Sequence, residues 1–168
     1  MSLATKYPRE VKRILAKYPP EFKRSAVMPL LYLAQSEAGY ITKEAMQEIA
    51  DLLEISLTDV GALVGFYTLY HDKKEGKYRM QVCTDLPCAL RGADQFMDSL
   101  CANLGIQVGE TTPDGSITLE AVTCLAACDK AHMFQIQSSD GLEYHENMTV
   151  DRTLELVNAL RKAGGEVE

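Results

Sequence analysis

Five cysteines are the residues best suited to chemistry in this chain of 168 residues. Four of them form two close pairs, Cys83 with Cys88 and Cys124 with Cys128. The odd number of cysteines, without a secretory signal pattern, argues against a disulfide framework and favours metal or redox chemistry. The chain has no Cys-x-x-Cys motif, so a thioredoxin-type dithiol has no support.

Four thiolates can hold either a [2Fe–2S] cluster or a structural zinc ion. Zinc sites more often use Cys-x2-Cys knuckles, whereas the spacings here are Cys-x4-Cys and Cys-x3-Cys. The spacing therefore favours iron–sulfur chemistry over zinc, and either metal over inert cysteines. Cys101 is interpreted as a buried structural thiol. His132 is close to the pairs in sequence, but it is not expected to bind the metal because four cysteines suffice.

Two predicted strands place the cysteine pairs at one edge of a sheet. Residues 77–83 and 117–123 alternate apolar and polar side chains, and they end beside Cys83 and Cys124. A helix predicted between them makes a crossover connection, so the two strands should be parallel. Parallel strands share one carboxyl edge, where open α/β folds bind ligands. Cys88 is expected in the first turn of the helix, where the positive dipole end stabilises thiolates.

The predicted crossover helix begins near Pro87 and ends at Gly105. Its apolar residues recur at helical spacing and are expected to form one buried stripe: Leu90, Ala93, Met97, Leu100 and Leu104. Arg91 lies one turn beyond Cys88, and we expect it to add a positive charge near the thiolates.

The remaining elements complete a thioredoxin-like order. Residues 133–137 and 142–145 are predicted strands joined by a Ser-Ser-Asp-Gly turn, which indicates an antiparallel hairpin. Thr149 is expected to cap a final helix. The order β-α-β-β-β-α predicts one sheet with a helix from each half packed on it.

The first 70 residues are predicted to be helical, which makes the fold class α+β: an N-terminal helical bundle (1–75) followed by the thioredoxin-like domain (76–168). Helices are expected over 10–17, over 21–36 with a possible kink at Pro29, from Thr42 to about Leu53, and from Ser56 or Thr58 to Phe66.

Charge disfavours a nucleic-acid function. Residues 1–35 carry a net charge of +5 and residues 36–168 a net charge of −12. Residues 42–66 resemble a helix-turn-helix, but the surrounding stretch 39–70 has five acids, one Lys and no Arg to contact phosphate or guanine. The longest apolar stretch, 60–67, is too short to span a bilayer. Neither nucleic-acid binding nor membrane insertion is therefore expected.

Three motifs carry a resemblance to a known family: CTDLPCALRGAD, GETTPDGSITLEAVTCLAACDKA and YHENMT. They resemble the thioredoxin-like [2Fe–2S] subunit of bacterial NADH:quinone oxidoreductase (respiratory complex I). The resemblance covers about residues 39–160. It implies that one [2Fe–2S] cluster is held by four metal ligands: Cys83, Cys88, Cys124 and Cys128. Two positions depart from the family pattern, since Ala126 replaces a common Gly and His132 a common Pro.

The same resemblance implies the partners and the location. Members pair with a larger subunit that oxidises NADH at FMN, together with other peripheral-arm subunits. The chain has no GxGxxG motif, so no FMN, NAD or catalytic residue is assigned to it. We expect a cytoplasmic location, in a peripheral arm attached to the inner face of the bacterial membrane. Three alternatives stay open: the diaphorase subunit of an NAD-linked hydrogenase or formate dehydrogenase, a cluster-dependent DNA-binding regulator, or a zinc-stapled module.

Overall fold

The computed structural model describes residues 2–164. It contains two compact units, Met1–Lys74 and Glu75–Glu168. Residues 165–168, the end of the domain assigned as 76–168, lie outside the described residues. Between residues 2 and 164, no helix has both the length and the apolar character needed to cross a membrane.

The first unit consists of helices. They are α1 (Leu3–Lys6), α2 (Pro8–Leu15), a 3₁₀ helix (Pro20–Ala26), α3 (Val27–Ala38), α4 (Lys43–Leu53) and α5 (Leu57–Phe66). Their apolar faces meet in one core, in which Leu30, Ile49 and Val60 are buried. The predicted N-terminal helical bundle is therefore confirmed.

Side-chain caps define where two of these helices begin. The Thr42 hydroxyl accepts a hydrogen bond from the Ala45 N–H (3.1 Å) and caps α4, as predicted. The Ser56 hydroxyl accepts one from the Asp59 N–H (3.0 Å), so α5 is capped by Ser56 and not by Thr58. Each cap satisfies an N–H group that has no partner within its helix.

The prediction of one kinked helix over 21–36 is wrong. The chain forms the 3₁₀ helix Pro20–Ala26 and then α3, which begins at Val27. Pro29 therefore lies in the first turn of α3. A proline removes no hydrogen bond there, because the first N–H groups of a helix lack intrahelical acceptors.

The second unit has four strands and helices: β1 (Tyr78–Cys83), α6 (Leu86–Ala89), α7 (Ala93–Leu104), β2 (Ile117–Val122), a 3₁₀ turn (Cys128–Lys130), β3 (Phe134–Ser138), β4 (Gly141–His145) and α8 (Val150–Gly164). The sheet order is β2-β1-β3-β4. β1 pairs with β2 in parallel, and the other two pairings are antiparallel. The predicted fold class, with its parallel pair and its hairpin, is confirmed.

The two faces of the sheet differ in chemistry. One face carries buried apolar side chains such as Met80 and Leu119, which share a core with Leu100 of α7 and Val157 of α8. The other face carries a polar row across three strands. In this row Gln135 donates to Gln81 (2.5 Å), and Gln81 donates to Glu120 (3.0 Å).

The predicted single crossover helix is in fact two helices. Gly92 adopts φ +95, in the left-handed region, and separates α6 from α7. Leu90 is consequently out of line with the α7 stripe and is 81% exposed, so its predicted burial is wrong. Cys88 lies in the four-residue α6 and not in the first turn of the long helix, which begins at Ala93. Ala93, the first residue of α7, nevertheless packs in one buried cluster with Cys83 and Cys88, so the long helix begins beside the cysteine pair.

Candidate metal centre

The first cysteine pair is buried where β1 ends. Cys83 is the last residue of β1, and its N–H donates to the Met133 carbonyl (3.2 Å). Cys88 follows in α6. The two side chains are 2% and 1% exposed, and their Sγ atoms lie 3.4 Å apart. The strand end and the short helix thus bring two soft donor atoms into contact.

The second pair lies in the segment that leaves β2. Cys83 is opposite Val122 in the parallel register, which places Cys124 two residues beyond that edge. Cys124 is exposed and Cys128 partly exposed. The Ala126 N–H donates to Cys124 Sγ (3.3 Å), so the loop backbone directs a positive dipole at one sulfur.

Electrostatics connect the two pairs. Burial raises the pKa of the Cys88 thiol to about 12, and the neighbouring Cys83, Cys128 and Cys124 sulfurs add to that rise. Burial also raises the pKa of Cys128, followed by the effects of Cys124 and Cys83. The thiols of one pair therefore influence the charge of thiols in the other pair. The raised pKa values keep the Cys88 and Cys128 thiols protonated near neutral pH until a metal ion displaces their protons.

The donor set fits an iron–sulfur group. Two thiolates on one tetrahedral metal with bonds of about 2.3 Å lie about 3.8 Å apart, close to the 3.4 Å between Cys83 and Cys88. Four cysteines, two for each iron, are the ligands that [2Fe–2S] clusters use. Among residues 2–164, no group of three or more His, Cys, Asp or Glu side chains is arranged so that it could hold a metal ion.

Comparison with known protein families identifies the family of this chain. Residues 11–161 match the family described as thioredoxin-like [2Fe–2S] ferredoxin. The chain belongs to this family. The family and the fold expected from the sequence resemblance are thereby confirmed, and with them the [2Fe–2S] cluster as the cofactor of the family.

Curated proteins similar to this ferredoxin are named as parts of NADH-quinone oxidoreductases and of an NADH dehydrogenase. NADH-quinone oxidoreductase subunit 2 of Thermus thermophilus is 40% identical over 158 residues, which cover 94% of this chain and 85% of the relative. A second NADH-quinone oxidoreductase subunit, from Rhizobium meliloti, is 38% identical, with 92% and 88% covered. The mitochondrial NADH dehydrogenase [ubiquinone] flavoprotein 2 of Dictyostelium discoideum is 39% identical, and the chain spans 60% of its length.

A solved structure shares the fold. The air-oxidized NAD⁺-reducing [NiFe]-hydrogenase has a chain that superposes with a TM-score of 0.66 at 18% identity. The match covers 82% of this ferredoxin and 23% of the hydrogenase chain, so the same fold also occurs within a much longer polypeptide.

The remaining cysteine of the ferredoxin has a structural position. Cys101 lies on α7, is partly buried and packs against the core of the sheet. Burial and the nearby Asp98 raise the pKa of its thiol. This position agrees with its interpretation as a structural thiol.

The two positions that were expected to depart from the family pattern, Ala126 and His132, lie in the segment that bears Cys124 and Cys128 (residues 124–132), which is the second cysteine segment. Ala126 adopts φ +60, a left-handed conformation that costs an L-residue about 1–2 kcal/mol. The ring of His132 stacks on Phe96, with 4.9 Å between centroids and 10° between planes. The peptide bond between Ala131 and His132 is cis. The loop therefore keeps its turn at Ala126 although the residue is not glycine.

We predict that Ala126→Gly stabilises the ferredoxin by about 0.5–1 kcal/mol, because glycine adopts positive φ without steric cost but gains entropy on unfolding. The matched control is Ala127→Gly, since Ala127 has φ −126. That control should destabilise the protein by about 0.5–1 kcal/mol. Denaturant titration of both variants measures the difference, and equal shifts of the two midpoints would contradict the prediction.

Sequence reasoning missed one contact near the site. Arg91 was expected to act only as a nearby charge, but its guanidinium donates hydrogen bonds to the backbone carbonyls of Cys128 (3.3 Å) and Asp129 (2.7 Å). The two partners are separated from Arg91 by more than thirty residues. No local periodicity or motif could indicate such a contact, because it depends on how two loops meet.

Proposed function

We propose that this ferredoxin is the electron-transfer subunit of an NADH:quinone oxidoreductase and holds one [2Fe–2S] cluster on Cys83, Cys88, Cys124 and Cys128. The observation that supports the ligand assignment is the buried contact of Cys83 Sγ with Cys88 Sγ (3.4 Å) at the end of β1, beside the end of β2 from which Cys124 and Cys128 follow. The assignment to an NADH:quinone oxidoreductase is supported by the names of the curated relatives, which are NADH-quinone oxidoreductase subunits.

The bound cluster would supply reversible transfer of single electrons, and the chain supplies the surroundings. The buried Cys83 and Cys88 exclude water from one side of the site. The Ala126 N–H stabilises negative charge on Cys124 Sγ. Arg91 places a cation beside the Cys128 backbone. The N–H donor and the cation favour the more negative, reduced state, while the exposed Cys124 leaves one side open to a redox partner.

The electron donor is proposed to be a separate subunit. The chain has no GxGxxG motif, so we assign FMN and NADH to a partner subunit of the same complex. Further partners are the other peripheral-arm subunits, at the cytoplasmic, inner face of the membrane. We assign the redox role to residues 76–168 and treat 1–75 as a helical domain of the same subunit.

The test is metal analysis and spectroscopy of the full chain purified without oxygen, or reconstituted with iron and sulfide. We expect about two irons and two sulfides per chain, a brown protein, and a rhombic EPR signal after reduction. Adding the NADH-oxidising flavin subunit should make that signal appear on addition of NADH alone. A colourless protein with one bound zinc would exclude the proposal, and retardation of DNA at low salt would favour a regulator.

A further inference from the structure

We propose that Arg91 is a positioning residue that connects two cysteine-bearing segments and raises the reduction potential of the site. The first segment (residues 83–91) contains Cys83 and Cys88, and the second (residues 124–132) contains Cys124 and Cys128. The inference rests on the proposed function. Its side chain reaches the second segment, where Nη1 donates to the carbonyls of Cys128 and Asp129. Its backbone belongs to the first segment, where the Arg91 N–H donates to the Cys88 carbonyl (3.0 Å). One residue is thus bonded to a cysteine of each pair.

The residues that follow Arg91 extend this connection. A Cβ atom at Gly92 would lie 3.3 Å from Nε2 of His132, so the chain passes close to the end of the second segment. One turn later, Phe96 stacks on the His132 ring. Backbone N–H groups of Asn147 and Met148 also hold this segment, because they donate to the carbonyls of residues 130 and 132. Arg91 acts at residues 128–129, next to the cysteine itself.

The charge of Arg91 has an effect separate from its hydrogen bonds. The guanidinium carries a positive charge, and its hydrogen bonds hold that charge beside Cys128. A [2Fe–2S] core with four thiolates is already negative, and reduction adds one more negative charge. A fixed cation beside Cys128 stabilises the reduced state more than the oxidised state, which raises the potential.

Two substitutions separate the two effects. Arg91→Gln removes the charge and the reach of the side chain. Arg91→Lys keeps the charge on a flexible stem that lacks the planar guanidinium. The matched control is Lys162→Gln, which removes one positive charge from an exposed position on α8. All three are made in the full chain loaded with its cluster.

Three readouts apply: an EPR-monitored redox titration, the rate at which a chelator bleaches the visible absorption, and hydrogen exchange over residues 124–132. For Arg91→Gln we expect a lower potential, faster exchange and at least about tenfold faster bleaching, because both charge-assisted hydrogen bonds are lost and the loss of one alone corresponds to about that factor. For Arg91→Lys we expect the wild-type potential with intermediate bleaching. Lys162→Gln should match the wild type throughout.

The proposal is overturned if Arg91→Gln shows the wild-type potential and the wild-type bleaching rate. It is also overturned if Arg91→Gln and Arg91→Lys both lack the cluster while exchange over 124–132 is unchanged. If Arg91→Gln lacks the cluster while Arg91→Lys contains it, the proposal is supported, because lysine keeps the positive charge at this position. Failure of the proposed function gives a different result, because the wild-type chain would then contain no iron.

Discussion

Replacing Cys124 with alanine is expected to abolish the visible chromophore and the bound iron of the protein. Cys124 lies at the sheet edge with its sulfur accepting a hydrogen bond from the Ala126 N–H (3.3 Å). Alanine has no donor atom, so one iron would keep a single protein thiolate. Loss of a residue that only hydrogen-bonds to a metal ligand already lowers metal affinity by about 10–100-fold. Loss of a ligand itself should lower the affinity further.

The matched control for this substitution is Cys101→Ala. Cys101 is the cysteine outside the two pairs, and it packs against the core from α7. Its replacement should leave iron content and the visible spectrum unchanged and destabilise the fold by about 1 kcal/mol. Iron analysis and absorption spectroscopy of both variants, prepared together without oxygen, decide the matter. An intact spectrum in Cys124→Ala would remove Cys124 from the ligand set.

Replacing Phe134 with alanine is expected to destabilise the second unit by about 3–5 kcal/mol. Phe134 is 0% exposed and begins β3, opposite Val82 of β1 and His145 of β4. Its ring also stacks on His145, with 5.2 Å between centroids. Truncation would remove this stacking and leave a cavity in the core below the sheet.

Tyr144→Ala is the matched control, because Tyr144 is an aromatic residue of the neighbouring strand that is 50% exposed. Its loss should change the free energy of unfolding by less than about 1 kcal/mol. Denaturant unfolding followed by near-ultraviolet circular dichroism measures both. If the two substitutions cost the same, Phe134 does not have the core role that its burial indicates.

The order of elements and the location of the cysteines could be predicted from the sequence, because both follow from local patterns. Alternation marks the strands that end at Cys83 and near Cys124, and a helix between two strands makes them parallel. Those two facts place the ends of β1 and β2 at one edge, and the structure pairs Cys83 with Val122 there. The capping role of Thr42 was equally local, since it depends on its own hydroxyl.

The features that could not be predicted depend on backbone conformation or on distant contacts. The apolar spacing of the crossover region continues through Leu90, but the left-handed turn at Gly92 separates Leu90 from α7. Periodicity assumes an unbroken helix, and a glycine can also sit inside one, so the spacing cannot reveal the break. The contact of Arg91 with the second segment depends on the meeting of two loops and leaves no local pattern.

The row of Gln135, Gln81 and Glu120 on the polar face of the sheet has a consequence for how the strands align. Side chains alternate between the faces, so a shift of β3 by one residue would turn Gln135 towards the apolar core and leave Gln81 without its amide donor. Such a shift is strongly disfavoured because a buried amide without a partner is costly. The glutamines thereby select one alignment of β1 with β3, and that alignment fixes the position of Cys83 against Met133.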